Sequence, residues 1–346
     1  MTESNSSTTS TGSNADERGA HPILAPMCRF VQTQTFVEID EGALKYLASE
    51  LAAAYGGPPV KVLHWLAAAP ASVQVFINQA HLQEAVSFLT LFHAIGFCYW
   101  GEPRWTFTSY GTTYNGSLAL LHSLRENLYH LKNLAANQTT TPEQFSAGLG
   151  GVNRLCLLPE RLEFFRDLTK RLQEGELTRL LQEEDCLTKA FYIEASYSGF
   201  QDTARIDTPQ GKVILPFLKR AQLLVSDIDY LIRLKGGSGL PEADRLTAFA
   251  DYKVPQLLRE AGALIYDPEL SEKVDNKIEL PEDSLEELSI RASTIVAVDK
   301  LKRLIAQRGV SLSAAEVDNL LWLKSQKEAQ APSAIRPYHR TMTCRY

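Results

Sequence analysis

The run Leu118-Ala119-Leu120-Leu121-His122-Ser123-Leu124-Arg125-Glu126-Asn127-Leu128-Tyr129-His130-Leu131-Lys132-Asn133-Leu134-Ala135 sets the fold class. Leu121, Leu124, Leu128 and Leu131 recur at steps of three and four, which places them on one face of an α-helix. Ser117 stands where a side chain can cap that helix. Residues 159–184 repeat the habit with Leu162, Phe165, Leu168, Leu172 and Leu177, interrupted near Gly175. Both leucine stripes read as packing faces. The chain is therefore expected to be mostly α, with strands confined to short pieces at Phe30–Ile39, Trp105–Tyr114 and Lys212–Leu215.

Composition limits the function classes. Of 346 residues, 45% are hydrophobic, ample for a buried core. Residues 1–20 are Ser, Thr, Asn and Gly with scattered charge and no apolar run, so they read as a disordered lead to one domain over 21–346. They do not form a signal peptide, and no later run approaches the ~20 apolar residues of a membrane span. With 35 Lys plus Arg against 41 Asp plus Glu, the net charge of -6 offers no general attraction to long nucleic acid. Cys28, Cys98, Cys156, Cys186 and Cys344 are odd in number and form no CxxC pair, which points to reduced thiols and a cytoplasmic location. The seven histidines show no metal spacing, so neither a metal nor a cofactor is expected. No GxGxxG or GxxxxGK[ST] loop occurs, against dinucleotide or P-loop chemistry. A nucleophilic Cys98 beside His93 is the weaker reading, because Cys98 lies in an apolar aromatic run where small buried thiols are common.

The chemistry-bearing stretch is Phe249-Ala250-Asp251-Tyr252-Lys253-Val254-Pro255-Gln256. Pro255 suits the start of a helix that Leu257, Leu258, Ala261 and Leu264 carry onward, with Gly262 and Tyr266 closing the segment. Asp251 just ahead of it would face unpaired amides and the positive end of the helix dipole. Many such carboxylates are only caps. One held as an anion can also steady a developing cation, which makes Asp251 the candidate catalytic group.

Two further helices carry candidates. Ser313-Ala314-Ala315-Glu316 is a capping-box pattern, and the helix it opens places Asp318 and Trp322 four residues apart on one face. Lys219 and Arg220 fall on a helix expected to start near Pro216 and to continue through Leu223, Leu224 and Ile228.

Seven stretches in register resemble the queuosine salvage proteins, the queuosine 5'-phosphate N-glycosylase/hydrolase family. They are Phe97-Cys98-Tyr99-Trp100 with Gly101-Glu102-Pro103; Ser196-Tyr197 with Phe200 and Asp202; Phe217-Leu218-Lys219-Arg220-Ala221-Gln222; the Asp251 segment; Ile290-Arg291-Ala292; Val317-Asp318 with Leu321-Trp322; and Pro337-Tyr338-His339-Arg340 with Tyr346. Together they span roughly residues 30–346. The resemblance implies a single helical domain akin to the helix-hairpin-helix DNA glycosylases, and release of queuine from queuosine 5'-phosphate for salvage into tRNA modification. Asp251 would act in catalysis. His64, Phe249 and Ala250 would contact substrate, Asp318 would take the polar edge of a guanine-like base and Trp322 its face. Lys219, His339 and Arg340 are the candidates for the 5'-phosphate.

This chain departs from the family pattern at three places. His93 and Gly96 stand where Asp and Asn are usual, and Ser289 where Glu is frequent. A related deazapurine or the unphosphorylated nucleoside therefore stays open as substrate. So do direct water attack or a covalent intermediate, a non-catalytic deazapurine- or nucleotide-binding module, and a DNA glycosylase-like enzyme. The last should show a basic face and a Gly-rich hairpin, which the composition does not favour.

Overall fold

A computed structural model describes residues 20–55, 64–208, 211–328 and 335–346. The segment read as disordered lies, apart from residue 20, outside them. Among the described residues the chain forms fourteen α-helices and three two-stranded antiparallel sheets. In chain order the elements are α1 (Leu24–Val31), β1 (Val37–Ile39), α2 (Glu41–Tyr55), α3 (Ala71–Gln79), α4 (Leu82–Ala94), β2 (Thr106–Ser109), β3 (Thr112–Asn115), α5 (Gly116–Ala136), α6 (Pro142–Leu149), α7 (Leu158–Gln173), α8 (Glu176–Leu181), α9 (Cys186–Ser196), β4 (Thr203–Thr208), β5 (Gly211–Pro216), α10 (Lys219–Leu234), α11 (Lys253–Glu260), β6 (Leu264–Tyr266), α12 (Pro268–Asp275), α13 (Leu285–Ala306) and α14 (Ala314–Glu328). The mostly helical class holds.

The element ends show where local chemistry overrode the pattern. Gly175, at φ 102°, separates α7 from α8, as the interruption in the leucine stripe predicts. Helix α5 begins at Gly116 with Asn115 in the cap position, so Ser117 lies inside the helix and is not its cap. The expected strand at Phe30–Ile39 shrinks to β1, because residues through Val31 close α1; β1 pairs with β6, the segment that holds Tyr266. The other two strand signals fall in the β2–β3 and β4–β5 hairpins.

Two starts move relative to proline. Pro216 pairs with Thr203 at the end of β5, and α10 begins only at Lys219. Leu218 takes the left-handed conformation (φ 50°) to turn the chain between them. The carbonyl of Asp202 accepts from the Phe217 and Leu218 amides at 3.0 and 3.1 Å, and its Oδ2 accepts from Lys219 N at 2.9 Å. One residue thus satisfies three successive amides of the turn. Likewise α11 starts at Lys253, so Pro255 is its third residue; its missing N–H falls where no intrahelical acceptor exists anyway. At the other end Gly262 (φ 73°) and the 2.8 Å bond from Ala263 N to Leu258 O close α11 in a Schellman turn.

Helix α13 is central. Every residue from Glu287 to Val298 is buried, as a helix wrapped on all sides requires, and it packs against α1, α2 and α14. Its one buried arginine, Arg291, meets Asp202 at 2.7 and 3.0 Å and donates from Nε to the Ala250 carbonyl at 3.2 Å. The guanidinium therefore joins the head of α10 to the segment before α11. Removing Asp202 leaves the guanidinium one acidic partner, Glu287 at the longer distance of 3.4 Å, whose own pKa burial pushes up to about 7, so the loss is still of the order of a broken buried pair, about 3–5 kcal/mol. Asp202→Ala is accordingly expected to lose that much unfolding free energy in a denaturant titration; a loss below about 1 kcal/mol would contradict the arrangement.

Candidate functional site

A cleft of about 990 Å³, its open mouth included, lies where the end of α4, the start of α5, the head of α10, the segment before α11 and one face of α14 converge. Asp251 lines it. Its Oδ1 accepts from the Lys253 and Val254 amides at 2.7 and 3.1 Å, so the side chain caps α11 from two residues upstream. No protein donor meets its other oxygen among the described residues. The cap and a free carboxylate edge therefore coexist in one side chain.

Phe249, Asp318, Trp322 and Lys219 line the same cleft. Asp318 is buried, and its Oδ1 accepts from the Phe249 amide at 3.0 Å. Trp322 stands edge-on to Trp65, 6.4 Å between ring centroids, and both indoles face the cleft. Ala250 is buried with its carbonyl turned to Arg291, so it shapes the segment without lining the cleft.

The other candidates sit elsewhere. His64 lies behind the wall: its Nδ1 accepts from Leu66 N at 3.3 Å, its ring stacks on Tyr230 at 4.1 Å, and its Nε2 is 3.2 Å from Asp227. His339 is buried with Nε2 3.3 Å from the Tyr346 hydroxyl, and burial pulls its pKa down to about 3. Arg340 pairs with Glu102 at 2.5 Å and lies over Trp100. Neither His339 nor Arg340 lines the cleft. Of the three phosphate candidates, the cleft holds only Lys219.

Sequence reasoning passed over several lining residues. Arg104 and Lys253 bring cations to the cleft, both set against Tyr338: Arg104 Nη2 is 3.4 Å from its hydroxyl and Lys253 Nζ is 4.9 Å from its ring centre. Lys253 stood two residues after Asp251 in the sequence, whereas nothing local marked Arg104. Gly116, Ser117 and Leu118, the start of α5, also face the cleft, as do Tyr99 and Tyr346. Gly96 is required there: a Cβ would lie 2.9 Å from the Phe92 carbonyl and 3.0 Å from the Tyr99 hydroxyl.

Electrostatics follow from desolvation. Burial lowers the pKa of Lys219, against the nearby Asp251 charge. Burial also lowers that of Lys253, with Arg104 adding to the effect. Burial, then the Asp251 charge, pushes Asp318 up to about 8, against its bond from the Phe249 amide. Asp318 is thus a neutral carboxyl at pH 7 in the folded chain and a carboxylate in the unfolded one. The stability this contributes is complete below about pH 4 and is lost as pH rises through about 8. Asp318→Asn, neutral at every pH, should therefore melt progressively higher than the parent as pH goes from 4 to 8. An unchanging difference across that range would place Asp318 in water.

Among the described residues no helix is long and apolar enough to cross a membrane, and no cluster of His, Cys, Asp and Glu could hold a metal. All five cysteines are free. A family model described as queuosine salvage protein matches residues 76–346. A Sphaerobacter thermophilus protein named queuosine 5'-phosphate N-glycosylase/hydrolase is 32% identical over 335 residues, 94% of this chain and 97% of that protein. Proteins with the same name from Dictyostelium discoideum (35% over 185 residues, 54% of each chain) and Bos taurus (25% over 331 residues, 90% of this chain and 94% of that one) also match.

Proposed function

The chain belongs to the queuosine salvage protein family, and we propose that the cleft around Asp251 is where it hydrolyses the N-glycosidic bond of queuosine 5'-phosphate. The observation that carries this assignment is the divided role of Asp251, one oxygen fixed by two helix amides and the other unpaired at the wall of the cleft. Breaking a ribosyl C–N bond develops oxocarbenium character on the sugar, and a fixed carboxylate stabilises that charge without reorganising. Water adds at the anomeric carbon, Asp251 accepts its proton, and the departing base takes up a proton.

The base needs help to leave. A 7-deazapurine has carbon in place of N7, so protonation there cannot relieve the charge it carries away. Asp318, protonated at neutral pH, can donate a hydrogen bond to the polar edge of the base while its other oxygen accepts one. Trp322 and Trp65 supply the stacking wall. For the 5'-phosphate we place Arg104, Lys253 and the amides at the start of α5 at one subsite, with Lys219 facing the two carboxylates. Arg104 and Lys253 repel each other, and a dianion between them removes that penalty.

The same reading takes residues 21–346 as one catalytic domain in the cytoplasm acting on a small nucleotide. It also takes the helical array as kin to the helix-hairpin-helix DNA glycosylases, with α11 and Asp251 as the shared device; superposition on such an enzyme tests that kinship.

Asp251→Asn keeps the cap and removes the charge. Turnover of queuosine 5'-phosphate, followed as queuine released, should fall by a factor on the order of 10² to 10³ with KM and melting temperature near the parent's. A rate within about threefold of the parent's would reduce Asp251 to a helix cap. Lys253→Met should raise KM for queuosine 5'-phosphate by roughly tenfold or more while leaving KM for queuosine unchanged, as loss of a charged hydrogen bond to phosphate requires. An equal rise for both substrates would move the phosphate away from Lys253.

A further inference from the structure

Behind the aromatic wall, the Asp227 carboxylate on α10 is fully buried and gathers two hydrogen-bond donors, with a third ring nitrogen close by. Its Oδ1 accepts from Trp65 Nε1 at 2.8 Å and lies 3.2 Å from His64 Nε2, while its Oδ2 is 2.6 Å from His93 Nε2. Burial alone would raise the Asp227 pKa, but His93 and His64 hold it down to about 2, so the carboxylate is ionised. An ionised acceptor fixes the proton of His93 on Nε2. His93 lines the cleft, and its Nδ1 has no protein partner among the described residues.

We propose that His93, oriented by Asp227, presents Nδ1 to the cleft as a hydrogen-bond acceptor for an O–H or N–H group of the substrate. Burial pushes the His93 pKa below its usual value despite Asp227, and Lys219 and Arg220 push the same way, so the ring stays neutral and Nδ1 keeps its lone pair. Gly96, one turn on, lines the same cleft beside the Tyr99 hydroxyl, and a side chain there would crowd both. The acceptor serves specificity: a ligand without a donor there leaves Nδ1 desolvated and unpaired. This rests on reading the cleft as the nucleotide site.

Two substitutions separate the ring's two nitrogens. Gln places its amide near Nε2 and can keep Asp227 paired, whereas Asn places its amide near Nδ1 and leaves Asp227 short of a donor. His93→Gln is expected to melt near the parent temperature and to raise KM for queuosine 5'-phosphate by about tenfold with kcat within about threefold. His93→Asn is expected to melt lower yet keep KM within about threefold of the parent's. If Gln leaves KM unchanged, or if both variants raise it equally, His93 is scaffold only and the proposal fails. Competition binding with 7-deazaguanosine 5'-phosphate, which lacks the C7 arm, identifies the donor. A Gln penalty on both ligands places it on the ribose or base, and a penalty on queuosine 5'-phosphate alone places it on the arm. An Asp251→Asn enzyme that still turns over at the parent rate would instead overturn the cleft assignment itself.

Discussion

The Arg291 guanidinium is the interaction on which the site depends. It lies in the stretch Glu287–Val298 of α13 that is buried on every side, pairs with Asp202 and reaches the carbonyl next to Asp251. Asp202 in turn satisfies the amides that open α10, where Lys219 stands. One buried ion pair therefore sets the relative position of the carboxylate and the ammonium that face each other in the cleft. Replacing such a pair by apolar side chains is often neutral for stability, so stability alone does not explain it. A registry role does, because an apolar substitute would pack without directing either the 249–251 segment or the turn at Leu218.

The cleft is built by withholding partners. Neither Lys219 Nζ nor the second oxygens of Asp251 and Asp318 meet a protein hydrogen-bond partner among the described residues, although all three residues line the same space. Burial has moved Lys219 and Asp318 in the direction of neutrality, and their mutual charges only partly oppose it. A nucleotide that supplies a cationic sugar to Asp251, a polar base edge to Asp318 and hydroxyl acceptors to Lys219 would satisfy these groups together. That coupling favours binding of the reacting state over the resting one, which is the condition for catalysis.

Helical class, the capping box at Ser313 and Glu316, and the break at Gly175 were legible because each rests on contacts within a few residues. So was the Asp251 cap, whose acceptor and donors lie within three positions. What could not be read was set at long range. Pro216 looked like a helix start because the β4–β5 hairpin that claims it needs a partner thirteen residues upstream. His339 and Arg340 looked like anion ligands, yet Tyr346 and Glu102 engage them. Arg104 had no local signature, since Asn153 and Tyr338, both far along the chain, hold it at the cleft.

Asp227 shows the same limit from the opposite side. Lys219, Leu223 and Asp227 recur at steps of four along α10, so a single stripe of the helix runs from the cleft wall into the core. In sequence a charged residue on that stripe reads as solvent-exposed, because burying an unpaired carboxylate costs several kcal/mol. The cost disappears only when His64, Trp65 and His93 arrive from two other segments of the chain. The departure at position 93 then acquires a physical sense. A carboxylate there would be too short to reach Asp227 and would add a second negative charge near it, leaving Asp227 a donor short, whereas an imidazole pairs with Asp227 through one nitrogen and keeps an acceptor for the cleft on the other.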